Sequence, residues 1–370
     1  MASRTTTAVH VKPLVDKIHY LAQFRQRAVT IKQLFDFGSN PTKEKLLVAA
    51  QFLHSELPVR LSHRVRELES LPYGLSEMPS VGVVREMYVE SVRQLIELPR
   101  PENTEDEEHF NTVIENIKQR HNNVVSIMAK GIQELKQALG PDAVNPEIQA
   151  FLDRFYLSRI GLRMLIGQHT ALHQNSRPGY VGLICEKCSP TEVAQDAMAN
   201  ARNLCLLHYE MAPEVKLFGD ADLSFTYVPS HLHHMLFELL KNSMRATVEF
   251  HGTGVTTLPA IRIVMAEGVE DMTIKISDEG GGIPRSGISR IWTYLYTTAH
   301  PPTLEPNSPY ESDFQAPLAG LGYGLPLSRL YARYFGGDLQ VISMEGYGTD
   351  AYMHLKRLGN AEEVLPKKLQ

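Results

Sequence analysis

The second half of the chain contains three polar residues spaced four positions apart within a largely apolar segment. A helix over residues 229–248 would place His234, Glu238 and Asn242 one turn apart on a single face. A carboxylate in such a position can accept the proton of a hydroxyl group or of a water molecule, and the imidazole one turn earlier can hydrogen-bond to it. The amide oxygen one turn later suits Mg²⁺, which takes oxygen ligands. The alternative is a surface helix with ordinary polar pairs.

A second candidate group ends a strand-like segment. Asp278 follows the run 272–277, so its carboxylate would lie at the C-terminal edge of a strand, where ligands commonly bind in α/β sheets. A carboxylate there can accept a hydrogen bond from the exocyclic amine of adenine. Gly280, Gly281 and Gly282 come next and permit close approach of the backbone to a ligand. The alternative is a tight turn with a solvated aspartate.

Candidate phosphate-binding groups occur in two segments. Lys241 and Arg245 flank the polar helix face and can contact phosphate oxygens. Gly320, Gly322 and Gly324 precede another predicted helix, where backbone N–H groups and the helix dipole favour anions. The spacing matches neither a Walker A loop nor a Rossmann fingerprint. By itself, therefore, this glycine pattern is a weak signal.

A fourth segment, 345–355, has the pattern of a turn that enters a closing strand, and Thr349 could supply a hydroxyl group near a base. The four segments follow one another within about one domain's length. Together they predict a nucleotide site far more specifically than any one of them does.

The hydrophobic pattern predicts two domains that would position these segments. The first half is predicted to be all helical, and long helices with short connections favour a four-helix bundle. Its predicted helices span residues 13–26, 30–37, 43–68, 80–97, 105–139 and 146–172. A linker is predicted at residues 176–179, which contain arginine, proline and glycine. We therefore predict domains at 1–178 and 179–370.

The second half alternates strands and helices, which predicts a mixed sheet with helices on one face. Its predicted strands span residues 181–184, 215–218, 261–267, 272–277, 338–343 and 350–355. Its predicted helices span residues 190–209, 229–248 and 324–335. The proline-rich segment 283–319 is predicted to be a mobile lid beside the phosphate site.

Composition excludes several classes of protein. The chain has 370 residues, a hydrophobic content of 43% and a net charge of −5, so it has no nucleic-acid footprint. It has no apolar run of about 18 residues, so no membrane span is predicted. Its three cysteines do not suit a disulfide framework, and we interpret Cys185 and Cys188 as structural or incidental thiols. A metal site at the histidines of residues 231–234 is disfavoured because neighbours on a helix point apart.

The arrangement resembles the GHKL nucleotide-binding fold shared by Hsp90, gyrase, MutL and histidine kinases. Residues 151–169, 227–232 and 343–351 are further similar to the mitochondrial pyruvate dehydrogenase kinases, as are residues 56–60 and 120–125. The resemblance extends from about residue 14 to about residue 358. It implies an α plus α/β protein: an N-terminal four-helix bundle followed by a GHKL α/β sandwich.

The resemblance implies a protein serine kinase that inactivates the decarboxylase component of the pyruvate dehydrogenase complex. Glu238 would be the general base, assisted by His234 and Lys241. ATP and Mg²⁺ are implied, K⁺ is a further candidate, and Asn242 would hold the metal. The implied nucleotide-binding positions, besides Asn242, are Arg245, Asp278, Gly280, Gly282, Thr298, Gly320, Gly322, Tyr323, Gly324, Leu325 and Thr349.

A cationic group in the helical half is a candidate regulatory site. Arg159 and Arg163 lie one turn apart, and a second segment carries Arg120 and His121; the residues alone favour salt bridges over a bound carboxylate. The resemblance implies a pyruvate pocket. Its candidate residues are Tyr88, His121, Ser158, Arg159 and Arg163.

The resemblance also implies partners and a location. The implied partners are the lipoyl domain of the acyltransferase core and a second copy of the chain, and the implied location is the mitochondrial matrix. Segment 34–37 would help to bind the lipoyl domain; the alternative is that it packs in the bundle core. Animal members end in a longer tail with an Asp-Trp pair that bridges the dimer. The ending here, at Gln370, resembles plant members, and the only tryptophan is Trp292. The resemblance therefore does not carry the tail-mediated contact over to this chain, whereas the nucleotide site is unaffected.

Other functions remain open at this point. A branched-chain 2-oxo acid dehydrogenase kinase needs the same phosphoryl chemistry, although the segments quoted above favour pyruvate. In a GHKL ATPase, Glu238 would activate water. A histidine kinase would need an exposed acceptor such as His169 or His173, and a pseudokinase is disfavoured by the intact Glu238 and Asn242.

Overall fold

The computed structural model describes residues 6–140, 143–174, 177–220, 222–297 and 322–366, with side chains described from residue 13 onward. Two compact units are present. The first contains residues 1–28 and 37–175 together with 365–370, and the second contains residues 29–36 and 176–364. Segment 29–36 therefore belongs with the second unit, although it lies within the first domain of the sequence.

The first unit is helical, as predicted. Its helices begin where short polar side chains cap them: Thr42 Oγ1 accepts from the N–H of Lys45, and Asn103 Oδ1 accepts from that of Asp106. The helices are α1 (Thr6–Leu21), α2 (Ile31–Gly38, shared with the second unit), α3 (Lys43–Glu69), α4 (Pro79–Glu97), α5 (Thr104–Arg120), α6 (Val124–Leu139) and α7 (Pro146–Leu172), with a short 3₁₀ segment at Pro72–Glu77.

The prediction of one helix over residues 105–139 was wrong, because the chain breaks between α5 and α6. Arg159 Nη2 donates to the carbonyl oxygen of Asn122 over 3.1 Å, and Arg163 Nη1 donates to Asn122 Oδ1 over 3.1 Å. The bond from Arg159 engages a backbone carbonyl group that would otherwise accept a hydrogen bond within a continuous helix, and the bond from Arg163 holds the side-chain amide of the same residue. The break places His121 and Asn122 against α7.

The second unit contains two sheets, and the larger one is mixed, as predicted. Its strand order is β3-β5-β6-β8-β7, in which β3 and β5 are parallel and the other pairs are antiparallel. The smaller sheet has the order β1-β2-β4. The strands are β1 (Tyr180–Val181), β2 (Ile184–Cys188), β3 (Val215–Phe218), β4 (Phe225–Tyr227), β5 (Ile261–Glu267), β6 (Asp271–Asp278), β7 (Asp338–Met344) and β8 (Gly348–Lys356).

Alternate side chains of the large sheet are buried, and helices pack near them. Ile263, Ile274 and Met353 are fully buried on neighbouring strands, as the period of two requires. Helix α9 contacts β6, and α11 contacts β7 and β8. The helices of this unit are α8 (Pro190–Tyr209), α9 (Pro229–His251), the single turn α10 (Arg285–Ile288) and α11 (Gly324–Tyr334).

Two predicted features of this unit change. The predicted strand 181–184 is instead a turn between β1 and β2, because Gly182 has a φ of 59° and reverses the chain. Strand β4 was not predicted, because its three residues are too few to show an alternating pattern. Of the predicted lid at residues 283–319, only residues 283–297 are described; they include the single turn α10 and the buried side chains of Ile291 and Tyr294. Residues 298–319 lie outside the described residues. Within the described part of the chain, no helix combines the length and the apolar character that a membrane crossing requires.

Candidate active site

Helix α9 carries the polar face at the centre of the candidate site. Pro229 begins the helix, and Gly252 ends it with a φ of 78°. Leu232, Leu236 and their apolar neighbours anchor α9 in the core. His234 and Glu238 are also buried, at 7% and 4% exposure. Polar groups buried to this degree require partners or a function.

The Glu238 carboxylate is held between α9 and the start of α11. Lys241 Nζ lies 2.6 Å from Glu238 Oε1, and both side chains are largely withdrawn from water. Oε2 lies against the backbone of Gly324, where a β-carbon would collide with it. The first turn of α11 presents N–H groups that have no partner within the helix. The carboxylate therefore lies beside an anion-favouring helix end.

His234 lies one turn before Glu238 and is packed by aromatic rings. Its ring centroid lies 4.8 Å from that of Tyr331 in α11. Burial lowers the pKa of His234 to about 4, although the nearby Glu238 charge opposes this shift. His234 is therefore neutral near pH 7, so it adds no positive charge beside Glu238. Asn242 and Arg245 continue the same face and are half-buried.

Asp278 ends β6, as predicted, and accepts three hydrogen bonds. Ser243 Oγ donates to Oδ2 over 2.7 Å, and the N–H groups of Gly280 and Thr349 donate to Oδ1 over 3.0 and 3.3 Å. Burial raises the pKa of Asp278, and these bonds oppose that rise. A carboxylate offers about four acceptor positions, so one remains on Oδ2. That position can take the exocyclic amine of adenine.

The glycine turn after Asp278 lies directly on α9. A β-carbon at Gly280 would lie 2.7 Å from the Ala246 side chain, so only glycine fits there. Gly282 has a φ of 70°, a left-handed conformation that glycine adopts without strain. The turn therefore brings the backbone close to the face that carries Glu238 and Asn242.

Thr349 lies directly opposite Asp278 in the pairing of β6 with β8. Its Oγ1 lies 3.0 Å from Ser343 Oγ, and Ser343 Oγ accepts from the N–H of Ile283 over 2.7 Å. The sheet register thus places the threonine hydroxyl beside the aspartate, and the loop after β6 is fixed to β7.

The final glycine segment is described from Gly322 onward. Gly322 has a φ of 72°, and the Tyr323 ring is buried with its centroid 5.2 Å from that of Tyr294. Gly324 and Leu325 begin α11. Thr298 and Gly320, two of the predicted contacts, lie outside the described residues.

The sequence did not indicate one contact of this site. Ser243 follows Asn242 directly but lies about 100° away around the helix. No spacing pattern marks it, and only the packing of α9 on β6 brings its hydroxyl to Asp278.

The candidate regulatory residues are brought together in the helical unit, except for one. Tyr88, His121, Arg159 and Arg163 line one cavity, which Lys118 joins. Ser158 is buried but does not line it. The rings of Tyr88 and His121 have centroids 4.5 Å apart. Burial, with Arg159 nearby, lowers the pKa of His121 to about 3, so the positive charge of the cavity comes from the arginine and lysine side chains.

The fold and this site define a nucleotide-binding protein of the GHKL class. Residues 227–358 match the family described as histidine kinase-, DNA gyrase B- and HSP90-like ATPase. Residues 28–185 match the family described as mitochondrial branched-chain alpha-ketoacid dehydrogenase kinase. Both halves of the chain therefore have relatives among ATP-using proteins.

Full-length relatives identify the family more closely. The chain is 51% identical over 99% of its length to the whole of the mitochondrial pyruvate dehydrogenase (acetyl-transferring) kinase of Arabidopsis thaliana. It is 44% identical to isozyme 3 of Homo sapiens, with 96% of this chain and 89% of that protein covered. It is 39% identical to the kinase of Schizosaccharomyces pombe, with 96% and 99% covered. The chain belongs to the mitochondrial pyruvate dehydrogenase kinase family, which confirms the predicted resemblance.

The contact between Gly324 and Glu238 leads to a first prediction. In Gly324→Ala, the new β-carbon displaces the Glu238 carboxylate, because Oε2 occupies that space. We expect kcat for phosphoryl transfer to fall at least about 10-fold, since misplaced catalytic groups lose about 10- to 100-fold. Steady-state kinetics would measure this. Gly82→Ala is the control, because open space surrounds Gly82 on α4. Equal kcat in both variants would show that the contact between Gly324 and Glu238 does not matter for phosphoryl transfer.

Proposed function

We propose that this protein is an ATP-dependent protein serine kinase that phosphorylates and inactivates the decarboxylase component of the pyruvate dehydrogenase complex. The observation that carries this proposal is the buried Glu238 carboxylate, which is paired with Lys241 on the same helix and lies against Gly324 at the start of α11. The identity of 51% to a pyruvate dehydrogenase kinase over the full chain supports the substrate.

The described residues fit an adenine nucleotide with Mg²⁺. Asp278 would accept the adenine amine through its remaining acceptor position, and Thr349 would add a hydroxyl contact. Asn242 would supply an oxygen ligand to Mg²⁺. Gly322 and Gly324 would lie along the phosphates, and Tyr323 and Leu325 adjoin them in the chain. Thr298 and Gly320 are further proposed contacts, and both lie outside the described residues. ATP supplies the phosphoryl group, and Mg²⁺ neutralises its charge. K⁺ is a further candidate ion.

The chain's own residues would position and deprotonate the acceptor. Glu238 would accept the serine hydroxyl proton at Oε2, while the 2.6 Å contact with Lys241 fixes Oε1. His234, neutral because burial lowers its pKa, would keep the carboxylate oriented. Lys241 and Arg245 would contact phosphate oxygens. Phosphoryl transfer depends mainly on such positioning and charge stabilisation.

We further propose that the helical unit is a four-helix bundle with a regulatory and docking function. Helices α3 and α4 pack together, α7 contacts α3 and α5, and α6 contacts α4, so α5 with α6 would act as one interrupted bundle helix. The domains would divide at residues 1–178 and 179–370. Segment 34–37 would help to bind the lipoyl domain of the acyltransferase core, and the protein would act as a homodimer in the mitochondrial matrix.

The regulatory cavity would bind a small carboxylate such as pyruvate. Its volume of about 10 Å³ holds one water molecule, so a three-carbon acid requires the arginine side chains to move. Arg159 and Arg163 are the cations that could pair with the carboxylate, with Tyr88 and His121 beside them. Ser158 would not contact the carboxylate directly, because it is buried but does not line the cavity.

The cavity gives a second prediction. In Arg159→Gln, the pyruvate concentration that half-inhibits phosphorylation should rise at least about 10-fold, because a charged hydrogen bond contributes about 1.5–3 kcal/mol. Inhibition curves with added pyruvate would measure the change. Arg85→Gln is the control, because Arg85 is paired with Glu86 on an exposed surface. Unchanged inhibition in Arg159→Gln would exclude this cavity as the pyruvate site.

The second candidate function is phosphorylation of the branched-chain 2-oxo acid dehydrogenase. The match of residues 28–185 to the branched-chain kinase family favours it. A direct test is transfer of labelled γ-phosphate from Mg·ATP to the two purified decarboxylase components, with and without their lipoyl-bearing cores. We expect label on the pyruvate component, increased by its core. Label on the branched-chain component alone would change the substrate, and ATP loss without label on either would contradict kinase function.

A further inference from the structure

One polar cluster in the helical unit takes no part in the sites above. His169 lies in the last turn of α7, and His173 follows the helix as its C-terminal cap; the two lie one turn apart on the same face. Glu107 lies in the first turn of α5. The cluster therefore joins the start of one helix to the end of another.

The side chains of this cluster converge on one carboxylate oxygen. Glu107 Oε1 lies 2.9 Å from His169 Nε2 and 2.9 Å from His173 Nε2. His173 meets the angular requirements of a hydrogen bond, whereas neither ring nitrogen of His169 has a hydrogen-bond partner among the described residues. One donor atom from each residue lies within 4.8 Å of the others.

The burial of Glu107 and His169 is unusual for a simple hydrogen bond between two helices. The side chains of Glu107 and His169 are 3% and 2% exposed, while that of His173 is 20% exposed. A buried carboxylate thus faces a buried imidazole whose ring nitrogens have no hydrogen-bond partner among the described residues, and water can reach the cluster from the His173 side.

We propose that Glu107, His169 and His173 bind one Zn²⁺ ion or a similar divalent transition metal. Two imidazole nitrogens and one carboxylate oxygen are ligands that Zn²⁺ prefers, and three protein ligands leave a fourth position for water. Histidines one helical turn apart with a carboxylate from elsewhere form such sites in helical metalloproteins. The harder Mg²⁺ prefers oxygen ligands and would not select this cluster.

The geometry requires only small side-chain movements. Ligands at about 2.0–2.1 Å from a tetrahedral ion lie roughly 3.4 Å apart, and the present 2.9 Å separations are slightly shorter. The ion replaces the hydrogen bond from His173 and uses His169 Nε2. It would join α5 to α7 and would affect the helical unit independently of nucleotide binding.

The test is a zinc titration of the full-length protein after removal of bound metal with a chelator and without nucleotide. Calorimetry against a competing chelator should show one tight site per chain. In His173→Gln and in Glu107→Gln, the dissociation constant should rise at least about 100-fold, because even outer-shell partners of metal ligands change affinity by about 10- to 100-fold. Circular dichroism would confirm that each variant is folded.

The matched control is His109→Gln, since His109 is exposed on the same helix as Glu107. It should bind zinc as the unchanged protein does. X-ray absorption of the zinc-loaded protein should show nitrogen and oxygen ligands only. Absence of a tight site, unchanged affinity in both cluster variants, or sulfur ligands from the three buried cysteines would each overturn the proposal.

Discussion

Glu238→Gln should reduce phosphoryl transfer by about 10²- to 10⁴-fold, the usual contribution of a general base, while ATP binding stays close to that of the unchanged protein. The amide keeps the size of the side chain and its place against Gly324 and Lys241, but it cannot accept the hydroxyl proton. Single-turnover transfer of labelled phosphate would measure the chemical step, and calorimetry with ATP would measure binding.

The matched control for this variant lies on the same helix. Glu249 is exposed near the end of α9 and accepts a hydrogen bond from the Tyr209 hydroxyl over 2.7 Å, so Glu249→Gln should leave transfer unchanged. Near-normal transfer by Glu238→Gln would remove Glu238 from the role of base. A parallel loss of ATP binding would instead assign it to nucleotide binding.

Asp278→Ala should weaken ATP and ADP binding alike, by at least about 100-fold. The change removes the acceptor for the adenine amine and leaves Ser243 Oγ and the N–H groups of Gly280 and Thr349 without their partner. Each buried polar group left unpaired costs about 1–3 kcal/mol, so the variant should also unfold at a lower temperature. Calorimetry with both nucleotides and thermal unfolding would measure these effects.

Asp350→Asn provides the comparison for Asp278→Ala. Asp350 follows Thr349 on β8 but points to Lys275, with a separation of 2.8 Å between the charged atoms. This variant should bind both nucleotides normally. If Asp278→Ala also bound them normally, the adenine position would lie elsewhere.

Much of the candidate site follows from local sequence patterns. The four-residue spacing from His234 to Asn242 fixes a helix face whatever the surrounding fold is, and Asp278 occupies the end of a strongly patterned strand. Pro229 begins α9 and Gly252 ends it, each because of its own backbone preference. Such features depend on neighbours within about two helical turns, and the sequence contains them all.

Features that depend on distant partners did not follow from the sequence. The break after α5 arises because Arg159 and Arg163 engage Asn122 from α7. Glu107 lies more than 60 residues from His169 and His173, so no spacing pattern joins it to them. Likewise, Ser243 reaches Asp278 only because α9 packs on β6. In each case tertiary packing decides the contact.

The most direct test of the central claim is the chemical nature of the phosphate bond formed on the pyruvate decarboxylase component. After incubation with labelled Mg·ATP, the product would be treated with acid or with alkali and mapped by mass spectrometry, with Glu238→Gln as the inactive control. We predict acid-stable, alkali-labile phosphate on serine, absent in the control. Acid-labile phosphate on histidine, or release of free phosphate without a modified serine, would contradict a serine kinase.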